Sequence, residues 1–318
     1  MPFPRRVVRS RAPGSFLAAA ETPSFEAVCV SNNFWSFSMS KHAPRSFVRG
    51  LRAGLPTFLA LGLAACSGGD EAGAPATSAR SEPIVVTDVG FATPESVLHD
   101  TAADVYLVSN VNGEPLERDF NGFISRIAPD GTVQDLKWID GSEQGVTLNA
   151  PKGMAIEGGI LFVADIDCIR MFDATSGDPM DQVCLANATF LNDVAPGGDG
   201  SVFFTDSGFD AGPEGMVPSG SDAVYRLIVS DARVVAVSKD PALGGPNGLA
   251  VGSRGILVVS FRSGQVYRLT ADGERTDIMP ASERQLDGIE QLEIGSSRLI
   301  RCGEKAGRHP EAIGKLTS

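Results

Sequence analysis

The 318-residue chain holds only three histidines, His42, His99 and His309, spaced too widely to suggest an imidazole cluster for zinc. Positive charge is also scarce. Of 27 Lys and Arg and 39 Asp and Glu, the first 66 residues carry 8 and 2, which leaves 19 and 37 for the rest. A surface that acidic excludes nucleic acid and anionic membrane as partners of the folded part. The apolar stretch Ala53–Ala65 is too short to span a bilayer. With 42% apolar residues, 21% charged residues and mean hydropathy of +0.02, the chain is not disordered. What it does have is 36 glycines and 20 prolines, which favour many turns over long helices and point to one β-rich domain of about 250 residues.

The apolar stretch follows Lys41, Arg45, Arg49 and Arg52, the order of a secretory signal. Its end, Leu63-Ala64-Ala65-Cys66, resembles the lipobox of bacterial lipoproteins. The resemblance implies lipidation of Cys66 as the mature N-terminus. With Ser67 rather than Asp next, it implies the periplasmic face of the outer membrane in a diderm bacterium. Contact with the membrane would then be through the lipid anchor alone. A buried apolar helix ending at a chance cysteine is the alternative. Residues 66–82 read as a flexible tether. A leader counted from Met39 has ordinary length, so 39–65 is the expected signal peptide and 1–38 an upstream extension on which no fold is placed.

One pattern recurs five times, from Pro94, Pro151, Leu191, Pro246 and Leu286. Periods of about 40–57 residues, each with room for four short strands, predict propeller blades. In each unit a short apolar strand A leads to a β-branched strand B. A strand C such as Val224-Tyr225-Arg226 or Val266-Tyr267-Arg268 follows, and turns such as Pro129–Gly131 lead to strand D. If strand A starts at the mouth of the central channel, the long B-to-C segments 112–122 and 207–222 lie at that mouth, where they could act as lids. The second residue of the repeat is Glu95, Lys152, Asn192, Asn247 and Asp287 in turn. Propeller symmetry brings these to one mouth, where their oxygens suit a hard divalent cation, Ca2+ foremost, with Zn2+, Mg2+ and Mn2+ as alternatives. Taken singly, Asn247-Gly248 and Asp287-Gly288 could simply be turns.

PES at Pro94, LND at Leu191, PNGLAV at Pro246 and LDG at Leu286 together resemble the senescence marker protein/gluconolactonase family, six-bladed propellers that include regucalcin and luciferin-regenerating enzyme. The resemblance covers residues 84–292. It implies that Glu95, Asn247 and Asp287 bind one divalent metal and that Asn192 lines the substrate pocket. It also implies a lactonase-like hydrolase, opening a lactone or related cyclic ester with metal-activated water and with Asp287 as proton acceptor. Two departures stand out. Sugar-lactone-hydrolysing relatives carry Arg where this chain has Phe190, and Lys152 adds a cation to the ring. Lys152 could hold an anionic substrate, compete with the metal by pairing with Glu95 or Asp287, or form a plain stabilising ion pair. The alternative function is a non-catalytic, lipid-anchored propeller that binds a divalent metal and a small ligand or protein partner.

Six blades need about 270 residues, more than 84–318 supplies, so a six-bladed β-propeller is expected with blades five and six incomplete. Residues 83–91 should contribute a strand to the last blade, and the propeller domain is expected over 83–293. From 294 the text changes to 5 Lys and Arg against 2 Asp and Glu and reads as an aberrant, frameshift-like tail. Cys168 and Cys184 flank a turn at equal distances and could be cross-strand neighbours. Unpaired buried thiols are favoured over a disulfide. Cys29 and Cys302 carry no argument.

Overall fold

The computed structural model describes residues 24–28, 35–40, 85–283, 285–294, 297–304 and 315–316. Ala53–Ala65, Cys66 and the tether to residue 82 lie outside the described residues. No α-helix occurs among those described, and nearly everything is antiparallel sheet.

Four sheets follow one another along the chain, each of four strands in sequential order. We number them blades 1 to 4. Blade 1 runs Pro94–Asp100, Val105–Asn110, Phe123–Ile127 and Val133–Asp140. Blade 2 runs Pro151–Glu157, Ile160–Asp165, Cys168–Asp173 and Pro179–Cys184. Blade 3 runs Leu191–Pro196, Ser201–Asp206, Ala223–Ile228 and Arg233–Lys239. Blade 4 runs Pro246–Gly252, Gly255–Ser260, Val266–Leu269 and Arg275–Met279. Blade 5 has three strands, Leu286–Ile294, Ser297–Glu304 and Lys315–Leu316. A further three-stranded sheet comprises Ser24–Val28, Trp35–Ser40 and Val85–Val86. The predicted β-propeller sheets are therefore present, four of them with four strands and the fifth with three among the described residues.

Burial along each blade explains the arrangement. Strand B is buried throughout in blades 1 and 3, whereas strand D of blade 2 is mostly exposed. Side chains of strand B must therefore be apolar on both faces, because each sheet is covered on both sides by its neighbours. The clusters they form join successive blades. Leu107 and Ile124 of blade 1 pack with Leu161 and Phe172 of blade 2, and Phe162 and Ile169 of blade 2 pack with Leu191 and Phe204 of blade 3. Val224 of blade 3 meets Val258 and Tyr267 of blade 4, and Leu257 and Val259 meet Leu286 of blade 5.

Three details differ from what the sequence suggested. Val85–Val86 does enter a terminal sheet, but its partner is Trp35–Ser36, in a region given no fold by the sequence. Segment 207–222 is not a plain loop: Phe209–Gly212 and Gly215–Pro218 pair as an inserted hairpin. Cys168 and Cys184 are joined as a disulfide rather than left as thiols, because they face one another directly in the register of strands C and D of blade 2, with Cα atoms 4.0 Å apart.

Candidate functional site

In all five repeats the innermost strand carries one extra residue near its start, so its register against strand B slips by one. The slips fall between Pro94 and Ser96, Pro151 and Met154, Leu191 and Val194, Pro246 and Leu249, and Leu286 and Ile289. Every residue singled out from the repeat lies inside one of these bulges: Glu95, Lys152, Asn192, Asn247 and Asp287. A bulge releases its residues from the pleat and re-aims them, and here the same device acts once per blade. Glycine follows in three bulges, and at two of them a neighbouring inner strand comes very close, whereas Gly288 has open space around it. A Cβ at Gly153 would lie 2.3 Å from Asp193 Oδ1, and one at Gly248 would lie 2.8 Å from the carbonyl oxygen of Asp287.

A second repeated device anchors the chain just before each bulge. The last residue of strand B stands opposite the first residue of strand A and bonds the incoming backbone. Asn110 accepts from Ala92 N at 3.0 Å, and Asp165 from Ala150 N at 2.8 Å. Asp206 accepts from Phe190 N at 3.0 Å, and Ser260 Oγ donates to the Leu243 carbonyl at 2.6 Å. All four are fully buried. Sequence reasoning passed over them, although a polar residue closing an otherwise apolar strand in four successive repeats was a readable signal. Asp165 is further held by Arg170 Nε at 2.8 Å.

Within the bulged segments, Glu95, Asp193 and Asp287 are half-buried and Lys152 is 1% exposed. Burial, then the nearby Asp287 carboxylate, pushes the Glu95 carboxyl up to about 8; Lys152 pulls it down and Asp193 adds to the rise. Burial likewise pushes Asp193 up to about 7, against the backbone N–H groups of Leu249 and Val194 and with a further rise from Asp287. Burial lowers Lys152, which Glu95 and Asp165 oppose. Glu95, Lys152 and Asp287 therefore share one electrostatic site. Asp193, which follows the expected Asn192, is a member that the sequence reading missed. Asn192 and Asn247 are 6% and 5% exposed.

Lys152 reaches into the mouth loop of blade 1. Its Nζ donates to Pro115 O at 3.2 Å and Ala150 O at 2.9 Å, and lies 4.5 Å from the Phe190 ring centroid. Phe190 meets Phe209 of the inserted hairpin edge-on, and Phe209 meets Phe261 the same way. The B-to-C segments thus lie on the side of the site, as the strand direction required. Arg118 also ties the blade 1 segment to Asp167 of blade 2.

Among the described residues, no group of three or more His, Cys, Asp and Glu side chains is gathered so that it could hold a metal. A cation at the mouth would need amide oxygen as well as carboxylate, and Glu95, Asn247 and Asp287 offer that set. Burial first, and then the charge of Asp287, raises Glu95 and Asp193, and a cation bound beside them would oppose that rise.

No family model matches the chain, and no curated protein matches it. Among solved structures it is similar to a propeller of the nidogen/laminin complex, at 15% identity over 70% of this chain and 76% of that chain, with a TM-score of 0.51. It is also similar to a catalytically inactive virginiamycin B lyase from Staphylococcus aureus with quinupristin, at 16% identity over 69% and 67% of the two chains and a TM-score of 0.49. For a streptogramin B lyase structure the values are 10%, 70% and 86%, with a TM-score of 0.46. The nidogen/laminin likeness supports the β-propeller fold and nothing finer.

Proposed function

We propose that the chain is a divalent-cation-dependent hydrolase of the gluconolactonase type, acting on a lactone or related cyclic ester. The observation that carries this reading is the shared field of Glu95, Asp287, Asp193 and Lys152 at the bulged mouths of the inner strands. Glu95, Asn247 and Asp287 would hold the cation, Ca2+ foremost. A cation bound there supplies Lewis-acid chemistry, polarising the ester carbonyl and acidifying water. Asp287 takes the proton as water adds to the carbonyl carbon. The ring C–O bond then breaks, and the leaving oxygen recovers a proton to give the hydroxy acid. Asn192 lines the pocket and offers an amide to the substrate. Lys152, already bonded to two carbonyls and set over Phe190, balances charge beside Glu95 and supplies a cationic wall for an anionic substrate.

The disulfide between Cys168 and Cys184 supports an oxidising compartment and agrees with export and lipid anchoring at Cys66. The test is a panel of lactones and open-chain esters, assayed with Ca2+, Mn2+ and Zn2+ and again after chelation. Cation-dependent, lactone-selective hydrolysis that disappears in Asp287→Ala is the expected result. Tight cation binding without turnover on any ester would leave a metal-bearing binding propeller instead.

A further inference from the structure

The inner strand of blade 4 is gripped by three side chains of blade 3, and all three bonds fall on the bulge that presents Asn247. Ser207 Oγ donates to the Pro246 carbonyl at 2.7 Å. Thr205 Oγ1 donates to the carbonyl of Asn247 itself at 2.7 Å, and accepts the backbone N–H of Asp193 at 3.1 Å. Asp193 Oδ2 accepts the Leu249 N–H at 2.9 Å, while its Oδ1 accepts that of Val194 at 2.9 Å. Backbone groups of residues 246, 247 and 249 are thus fixed from the neighbouring sheet, on both sides of Asn247. Thr205 and Ser207 are fully buried, and Asp193 sits in a notch that only a residue without Cβ at 153 leaves open. A bulge is the part of a strand least constrained by ladder bonds. Replacing those missing bonds by side-chain bonds fixes the direction of the residue it carries.

Resting on the reading of Asn247 as a cation ligand, we infer that Thr205 and Asp193 are positioning residues for it, with Ser207 in support. They set the angle at which the Asn247 amide oxygen meets the cation while touching neither cation nor substrate. Outer partners of this kind are worth about 10- to 100-fold in metal affinity. Thr205 is the sharper test, because valine keeps its shape and removes only the hydroxyl.

The experiment is calorimetric titration of the whole protein with Ca2+, alongside its thermal midpoint. Thr205→Val should weaken Ca2+ binding about tenfold, Thr205→Ser should restore it, and Ser207→Ala should weaken it to a smaller degree. Tyr267→Phe is the control. It removes a buried hydroxyl bond, to the Leu243 carbonyl at 3.3 Å, made from strand C of blade 4 and not from the strands that flank the Asn247 bulge, and it should lower the midpoint while leaving Ca2+ affinity unchanged. Asn247→Ala separates the two readings. If it abolishes Ca2+ binding while Thr205→Val and Ser207→Ala bind like the wild type, the positioning role is wrong and the ligand assignment stands. If Asn247→Ala binds Ca2+ normally, the ligand assignment falls and the positioning role with it.

Discussion

The ammonium of Lys152 lies 4.5 Å from the centre of the Phe190 ring, beneath two backbone carbonyls. The pair connects two departures from the sugar-lactonase pattern. An arginine at 190 would set a second cation near the first. Lys152→Met should destabilise the protein by about 3 kcal/mol, since it leaves the Pro115 and Ala150 carbonyl groups without the donor they share. Phe190→Leu should cost about 1 kcal/mol through the lost cation–ring attraction. Phe190→Arg should cost more than Phe190→Leu, through like-charge repulsion. Urea denaturation of the three variants reads the order directly.

The acidic mouth should make the cation-free protein less stable as pH rises. Glu95 and Asp193 hold their protons in the folded state up to about 8 and about 7, whereas the unfolded chain releases them near 4.5 and 3.8. Between these limits the folded state binds more protons than the unfolded one. These groups therefore disfavour folding increasingly as pH climbs from the unfolded values through the folded ones. In chelator, the urea midpoint of the wild type should fall between pH 5 and pH 8 relative to that of Glu95→Gln, which keeps the shape and cannot ionise. A parallel pH dependence in the two proteins would remove Glu95 as a source of the effect.

Much of this arrangement was legible in the sequence because it repeats. The starts read at Pro94, Pro151, Leu191, Pro246 and Leu286 are the first residues of the five inner strands, and the second residue of each unit enters a bulge. What the repeat could not reveal depends on contacts between units. Asp193 stood only as the last residue of the LND motif, and its purpose appears only when Leu249, 56 residues later, is brought against it. The disulfide was undervalued for a similar reason: counting from a turn makes cross-strand pairing plausible, but the register alone sets Cys168 opposite Cys184. The sheet formed by Trp35–Ser40 with Val85–Val86 had no repeat signature at all.

Disulfide formation should be measurable in the purified chain. Thiol titration in denaturant should find Cys168 and Cys184 reactive only after reduction. Replacing both by serine should cost about 3 kcal/mol, the chain-entropy value for a loop of this size. The bond closes the outer hairpin of blade 2, away from Glu95 and Asp287, so Ca2+ affinity should be unchanged in the double variant. A weaker affinity would mean that the outer hairpin transmits strain to the mouth.

The anchor ahead of each bulge predicts unequal costs among positions that look equivalent. Asp165 receives Ala150 N and also Arg170 Nε, with both side chains buried, whereas Asp206 receives only neutral donors, from Phe190, Thr189 and Gly208. Removing the carboxylate at 165 strands a buried guanidinium, so Asp165→Ala should lose about 3–5 kcal/mol. Asp206→Ala leaves uncharged N–H groups unpaired and should lose about 1–3 kcal/mol. Burial also raises Asp206 above the ordinary carboxylate range, so Asp206→Asn should be better tolerated at neutral pH than Asp165→Asn. The double variant Asp165→Ala, Arg170→Leu should recover part of the loss, because the stranded charge leaves with its partner. A loss at 206 equal to that at 165 would mean that the anchor bond to the backbone, rather than the ion pair, sets the cost in blade 2.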